Sequence, residues 1–139
     1  MVTVKEFNSN ANDSILIADQ TAVRIGVLVD NTNVTADGNG RKIIKAGTPV
    51  GNTTKSALLD RTTVLTTSVT SGSDTQTVTP APQGIIYRDV DVTDGNASAV
   101  LIVAGAIDIL KVDETTRAKI TKPVINALNK ITFISGRED

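Results

Sequence analysis

The sequence predicts a mainly β fold, namely a compact β-rich single domain with a short C-terminal helical segment and an extended N-terminal arm. Apolar residues form 40% of the chain and aromatic residues only 2%, so the core must be built from aliphatic side chains. Valine, isoleucine and threonine are abundant, and β-branched side chains favour pleated strands over helices. Short apolar runs separated by turn residues are the second indication. A length of 139 residues is enough for one domain with a real core.

The polar character of the N-terminal segment divides the chain into an arm and one domain. Residues 1–13 are predicted to form the arm, and residues 14–139 the β-rich domain. Val2 and Val4 alternate, and the polar segment that ends the arm offers turns without burial. The arm has two interpretations: an ordinary frayed terminus, or a strand that becomes ordered when it adds to the sheet edge of a partner.

The first half of the domain contains strand-like runs and dense turn chemistry. Residues 15–17 and 25–29 are predicted to be strands. Residues 30–40 are rich in asparagine, aspartate and glycine, which indicates a hairpin or a long loop. Residues 45–51 contain two glycines and a proline, so we expect a tight bend there. This segment lacks the terminal Gly-Lys-Ser/Thr of a phosphate-binding loop.

The middle of the chain predicts two pairs of strands. Residues 62–79 are rich in threonine and serine and indicate a strand, a turn and a second strand. The prolines within residues 80–84 are expected to break any strand before Ile85. Residues 89–92 alternate strictly, which places two carboxylates on one face and two valines on the other. The turn at residues 94–96 is expected to close a hairpin with the next run.

Residues 100–109 are almost continuously apolar and predict a central, buried strand. The pattern then changes to a helical period, and we expect a helical segment within residues 115–129. Asp113 or Thr115 could cap a short helix, and Pro123 suits the first turn of a second one. The apolar stripe of this region consists of Val124, Leu128 and Ile131. Residues 132–134 are predicted to form a last strand.

Several functional classes are disfavoured by composition. The chain has no histidine and no cysteine, which removes the commonest general base, the usual zinc ligands and disulfide bonds. The net charge of −1 does not provide the basic field that non-specific nucleic-acid binding requires. We therefore expect no enzymatic activity, no cofactor and no nucleic-acid partner, although a Ser-Lys dyad is a catalytic arrangement that the sequence leaves open.

Two oxygen-rich segments are candidates for metal binding. Asp89, Asp91 and Asp94 precede Gly95, but an EF-type calcium loop requires glutamate at its twelfth position, which here is Val100. We interpret this segment as a solvated strand face followed by a turn, with no metal. Turn chemistry also accounts for the second segment without an ion. Its oxygen-bearing side chains are Asp30, Asn31, Asn33 and Asp37.

The sequence contains no pattern that is typical of a secreted or membrane protein. The first eight residues lack the basic start and the long apolar run of a signal peptide. The apolar run at residues 100–107 is much shorter than a membrane-spanning helix. We expect synthesis in the cytoplasm and no membrane partner.

Three motifs carry a resemblance to a known family. They are KAGTPVG at residues 45–51, GIIYRDVDVT at residues 84–93 and VLIVAGAIDI at residues 100–109. This order resembles the small head decoration proteins of tailed double-stranded-DNA bacteriophages, the family that includes the lambda head decoration protein. The resemblance extends over residues 38–113, about half of the chain. The Thr/Ser-rich segment and the C-terminal region depart from the family's pattern.

The resemblance implies a structural role in the virion. A member of this family is a capsid decoration, or cement, protein that binds the outer surface of the phage head and stabilises the shell against packaged DNA. The implied partner is the major capsid protein, the implied oligomer is a homotrimer at local three-fold positions, and the implied site of synthesis is the host bacterial cytoplasm. The N-terminal arm of this family contacts the shell, so the expected capsid-contacting residues are Val2, Val4 and Phe7.

An alternative function is a carbohydrate- or receptor-binding β-module of a phage fibre. Such modules usually place aromatic rings against sugars. The whole chain offers one tyrosine, two phenylalanines and no tryptophan. Composition therefore favours the decoration protein over the carbohydrate-binding module.

Overall fold

The computed structural model describes residues 14–17, 21–72 and 75–134, and this part of the chain is mainly β, as predicted. The predicted arm and its Val2, Val4 and Phe7 lie outside the described residues. The strands are β1 Leu16–Ile17, β2 Val23–Val29, β3 Ile43–Ile44, β4 Pro49–Gly51, β5 Val64–Thr67, β6 Val69–Ser71, β7 Thr77–Thr79, β8 Pro82–Ile86, β9 Val90–Asp91, β10 Ala97–Asp108 and β11 Ile131–Ile134. The α-helices are α1 Glu114–Arg117 and α2 Lys122–Ala127.

Five strands close into a small barrel in the order β10, β2, β5, β4 and β8, with β8 pairing back to β10. The β2–β5 pair is parallel and the other four pairs are antiparallel. The closing pair places Leu101 opposite Ile86 and Ile102 opposite Ile85. Closure removes the free sheet edges that an open sheet of these strands would expose.

The interior of the barrel is aliphatic, as the composition predicts. Each barrel strand contributes fully buried side chains to one cluster. Alternation along β10 is the clearest case, because Leu101 is 0% exposed whereas its neighbour Val100 is 41% exposed. The cluster includes Val29, Val50, Leu65, Ile86, Val92 and Leu101.

The strand β10 extends beyond the barrel into a second layer. Its pairing with β2 is irregular between Ile102 and Ala104, and Gly105 has a φ of 140° that favours glycine. Past this bulge, β10 pairs antiparallel with β1 and parallel with β11. A second core lies here, and α1 and α2 follow β10 on this side. Its buried residues include Ile15, Ile102, Ile107, Val112, Val124, Leu128 and Ile131.

Most predicted elements are confirmed with small shifts of their ends. The predicted strands at residues 15–17, 25–29 and 132–134 correspond to β1, β2 and β11. The central strand begins earlier than predicted and ends one residue before Ile109, where a 3-10 turn starts. The helical segment consists of two short helices, with Asp113 at the N-cap position of α1 and a proline at the start of α2.

The expectation that the prolines near residue 82 only break a strand is wrong. β8 begins at Pro82, and β4 likewise begins at Pro49 within the segment for which only a bend was predicted. A proline at the first position of a strand is tolerated, because the missing N–H is not needed at that point of the ladder. The predicted bend is present before β4, where the N–H of Thr48 donates to the carbonyl of Lys45.

The predicted hairpin across residues 94–96 is also wrong in its pairing. The turn forms, with the N–H of Gly95 donating to the carbonyl of Val92. However, β9 pairs with β3 and not with β10. The two edges of β10 are already used, one by β2 and the other by β8 together with the N–H of Tyr87, which donates to Val100.

The Thr/Ser-rich segment forms one strand more than the simple prediction. β6 and β7 make the expected antiparallel pair, in which Val69 lies opposite Thr79. The preceding strand β5 belongs to the barrel, where it pairs with β2 and β4. The predicted turn at residues 71–74 lies partly outside the described residues.

We expect the Leu101→Ala substitution to destabilise the protein by about 2–5 kcal/mol, because it leaves a cavity in the barrel interior. The matched control is Val100→Ala, one residue away on the exposed face, which we expect to cost less than about 1 kcal/mol. Urea unfolding of both variants measures the difference. Equal losses would contradict the assignment of Leu101 to the interior.

Candidate interaction site

The most exposed large apolar side chains of the described residues lie together on one loop. Leu59 is 90% exposed and Leu58 is 59% exposed. They belong to residues 52–63, which connect β4 to β5 and which we call the dileucine loop. Two adjacent exposed leucines form a small apolar patch, and we take this patch as a candidate contact surface.

Side-chain amides hold the first half of the dileucine loop. The Asn52 carbonyl oxygen Oδ1 accepts hydrogen bonds from the N–H groups of Thr54 and Lys55 at 2.9 and 3.0 Å. From β8, Gln83 Oε1 accepts from the N–H of Ala57 at 2.9 Å, and Gln83 Nε2 donates to the carbonyl of Lys55 at 2.7 Å. The loop is therefore attached to the barrel on both sides of Ser56.

The second half of the loop is fixed by a turn and by burial. The Ser56 carbonyl accepts from the N–H groups of Leu59 and Asp60, and Ala57 is buried. The hydroxyl and the N–H of Thr62 both donate to the Asp60 carboxylate, and these bonds lower the pKa of Asp60. The two leucines are thus presented by a backbone that is already ordered, which reduces the entropy cost of binding.

A second surface is formed by two arginines and the only tyrosine. The guanidinium carbons Cζ of Arg24 and Arg88 lie 4.9 and 4.7 Å from the centre of the Tyr87 ring. This is cation–π distance. Neither arginine forms an ion pair with a carboxylate of residues 14–17, 21–72 or 75–134. We call Arg24, Tyr87 and Arg88 the arginine–tyrosine cluster.

The environment of the cluster changes the acidity of its tyrosine. The Ser14 hydroxyl donates to the Tyr87 hydroxyl at 3.5 Å, and Arg88 also donates to it at 3.3 Å. The Ser14 hydrogen bond and the positive charges of Arg88 and Arg24 lower the pKa of Tyr87, while partial burial opposes them. These groups stabilise the phenolate of Tyr87 relative to that of a free tyrosine, the Ser14 hydrogen bond most and the two cations in addition.

A cleft with both polar and apolar lining residues lies between the loop before β3 and helix α1. Its volume is about 480 Å³, within the range of small-molecule sites. The N–H groups of Arg41 and Asn39 donate to Asp37 at its rim and lower the pKa of that carboxyl. The polar lining residues are Thr35, Asp37, Arg41, Lys45, Thr48, Thr67, Asp113, Thr115, Thr116 and Lys119.

Two of the three aspartates around β9, Asp89 and Asp91, have separate partners. Asp89 accepts from the N–H of Ala46 at 2.8 Å and lies 3.6 Å from Lys45 Nζ, while Asp91 accepts from the N–H of Thr93. Asp91 is exposed and the flanking Val92 is buried, so the predicted alternation of faces is confirmed. In the part of the chain that the structure describes, no three His, Cys, Asp or Glu side chains gather as metal ligands would.

The second oxygen-rich segment anchors loops, as turn chemistry predicted. Asn31 Nδ2 donates to the carbonyl of Val92, and Asn33 Nδ2 donates to the carbonyl of Thr67. Asn33 has a φ of 67°, a conformation that asparagine tolerates better than most residues. The Asp30 carboxylate accepts one hydrogen bond from the N–H of Thr32, within the same turn, and another from the Thr66 hydroxyl.

The sequence prediction missed both contact surfaces. Leu58 and Leu59 show neither helical nor strand periodicity, and the only signal was a pair of leucines between polar turn residues. Arg88 adjoins the single tyrosine in the sequence, but Arg24 reaches the ring only through the fold. The sequence-predicted contact residues Val2, Val4 and Phe7 remain predictions.

No protein-family model, no curated protein and no solved structure matches this chain. Within the described residues, none of the helices has the length and apolar character needed to cross a membrane. Assignment of function therefore depends on the sequence motifs and on the two surfaces.

We expect the pKa of Tyr87 to be below its usual value of 10.0. Because the chain has one tyrosine and no tryptophan, a pH titration of tyrosinate absorbance reports on this residue alone. Ser14→Ala and Arg88→Gln should each move the midpoint upward, since each removes a group that favours the phenolate. A midpoint that stays fixed in both variants would contradict the described environment of the ring.

Proposed function

We propose that this chain is a capsid decoration protein that binds the outer surface of a phage head and stabilises the shell against packaged DNA. The observation that carries the proposal is the ordered dileucine loop, which presents Leu58 and Leu59 to solvent on a rigid barrel. A cement protein acts by contact with neighbouring shell subunits, and it needs an apolar anchor on an ordered body. The resemblance of the sequence to head decoration proteins supports the same role.

The three motifs of that resemblance are neighbours in space. Residues 45–51 contain β4, residues 84–93 contain β9 and the last three residues of β8, and residues 100–109 lie largely in β10. β4 pairs with β8, which in turn pairs with β10. The segments that carry the resemblance therefore include three adjacent strands of the barrel, β4, β8 and β10.

Attachment would combine the loop with the N-terminal arm. Burial of one leucine side chain contributes about 1.5–3 kcal/mol, so two leucines supply a useful anchor. In the proposed complex, Val2, Val4 and Phe7 of the arm add a strand to the shell. The protein binds the assembled shell and not its free subunits, so mass action stabilises the assembly.

We further propose that the decoration protein acts as a homotrimer at local three-fold positions, with the major capsid protein as partner. The resemblance supports this arrangement. Three linked copies place three loops and three arms on the shell at once, and such multivalency strengthens attachment beyond the affinity of one copy. The protein would then be located on the capsid surface of the virion, after synthesis in the host bacterial cytoplasm.

The function is tested by co-sedimentation with undecorated heads of the phage that encodes the chain. We expect the full-length protein to bind in three-fold clusters that image reconstruction reveals. A variant without residues 1–12 should fold but bind at least about tenfold more weakly, or roughly 1.4 kcal/mol, because the ladder bonds of the arm are lost. Full-length protein that does not sediment with heads would refute the proposal.

The loop contact is tested by the double variant Leu58→Ser and Leu59→Ser. We expect head binding to fall at least about tenfold with little change in stability, because both side chains are already exposed. The matched control replaces Leu110 and Ile125, two other exposed apolar residues, with serine. If the control loses as much affinity as the loop variant, the loop is not the specific contact.

The cleft beside α1 favours a second candidate, a carbohydrate- or receptor-binding module of a phage fibre. Its hydroxyl, carboxylate and guanidinium groups suit a polyhydroxylated ligand. No aromatic side chain is among the residues that line it, which weakens this candidate. Binding to a glycan array without binding to heads would favour the fibre module over the decoration protein.

A further inference from the structure

The arginine–tyrosine cluster contains two positive charges that no described carboxylate neutralises. Arg24 and Arg88 are both exposed and both lie within 5 Å of the Tyr87 ring centre. Placing two guanidinium groups on one ring brings like charges close together, which is unfavourable in the absence of an anion. The ring offsets part of that cost through cation–π attraction. Arginine stays protonated at any working pH, so the charge is permanent.

The cluster is held on rigid elements. Arg24 lies in β2 opposite Ile102 of β10. Tyr87 directly follows β8, and its N–H donates to the carbonyl of Val100. The ring is therefore fixed to two barrel strands, and its partial burial restricts its rotation. A preformed pair of arginine forks loses little entropy when it binds.

The cluster also contacts the first described residue of the chain. This residue is Ser14, whose hydroxyl donates to the Tyr87 hydroxyl at 3.5 Å. In the sequence, residues 1–13 directly precede Ser14. A surface that binds the arm near residue 13 would therefore come close to Arg24 and Arg88.

We propose that Arg24, Tyr87 and Arg88 form a docking site for a carboxylate-rich patch of the capsid surface that the arm contacts. This inference depends on the proposed function and adds the chemistry of the partner to it. Each guanidinium group can hold a carboxylate through two parallel hydrogen bonds. The Tyr87 hydroxyl adds a further polar contact, and tyrosine and arginine are the residue types that most often dominate binding energy at interfaces.

Two features favour aspartate and glutamate side chains of a protein over nucleic-acid phosphates. The chain has a net charge of −1, whereas proteins that bind nucleic acid through phosphates usually present many basic residues. In addition, the site is one compact cluster of two arginines next to the arm that we propose binds the capsid. It is not an extended row of basic residues along the surface. A small acidic patch on a protein matches that size.

The test compares Arg24→Gln/Arg88→Gln with a matched control, Lys111→Gln/Lys130→Gln. The control residues are exposed lysines that form no ion pair within the described ranges, so both variants lose two charges. In co-sedimentation with heads, the arginine variant should bind at least about tenfold more weakly at low salt and show a flatter salt dependence. The control should stay within about twofold of the unmodified protein. Equal behaviour of the two variants would overturn the proposal.

A second measurement separates this inference from the proposed function. If the unmodified protein fails to bind heads, the decoration role is refuted. The cluster is then tested separately by adding a glutamate-rich peptide and following the fluorescence of Tyr87. A response that is lost in the arginine variant supports a carboxylate site. No response, or a stronger response to inorganic phosphate, overturns it.

Discussion

The hydrogen bonds between β8 and β10 are the interaction on which the rest of this structure depends. They close the five-stranded barrel, and they place Leu101 and Ile102 on opposite sides of one strand. Without this pair, both strands would have free edges and the aliphatic interior would be open to water. The approach is close: a Cβ atom at Gly84 would lie 2.6 Å from the carbonyl oxygen of Ile102, so only glycine fits.

Both proposed contact surfaces are attached to β8, one near each end. Gln83, near the start of the strand, holds the dileucine loop through hydrogen bonds to the backbone of Asn52, Lys55 and Ala57. Tyr87, just after its end, holds the arginine–tyrosine cluster. The closing strand of the barrel therefore also fixes the positions of the groups that we propose to meet the capsid. A rigid connection of this kind suits a cement protein, because a flexible body could not resist the movement of shell subunits.

The sequence determined the elements whose signals are local. A composition rich in aliphatic and β-branched residues required strands, and the alternation around Val90 and Val92 correctly assigned the two faces of that segment. The apolar run at residues 100–109 identified the central strand. Pro123 indicated the start of α2. Each of these signals depends on neighbours within a few residues, which is the range over which periodicity and capping act.

Only the tertiary structure decided which strands pair and which side chains meet. Whether Pro82 ends or begins a strand depends on whether a neighbouring strand needs an N–H donor at that position, which proline lacks. β9 pairs with β3, and the edges of β10 are occupied by β2 and β8. Arg24 reaches Tyr87 across a large separation in the chain. The dileucine loop is likewise held by Gln83, which lies outside that loop and accepts a hydrogen bond from the N–H of Ala57. A sequence pattern encodes the preference of each residue, whereas pairing and exposure result from competition among distant segments for the same edges and the same core.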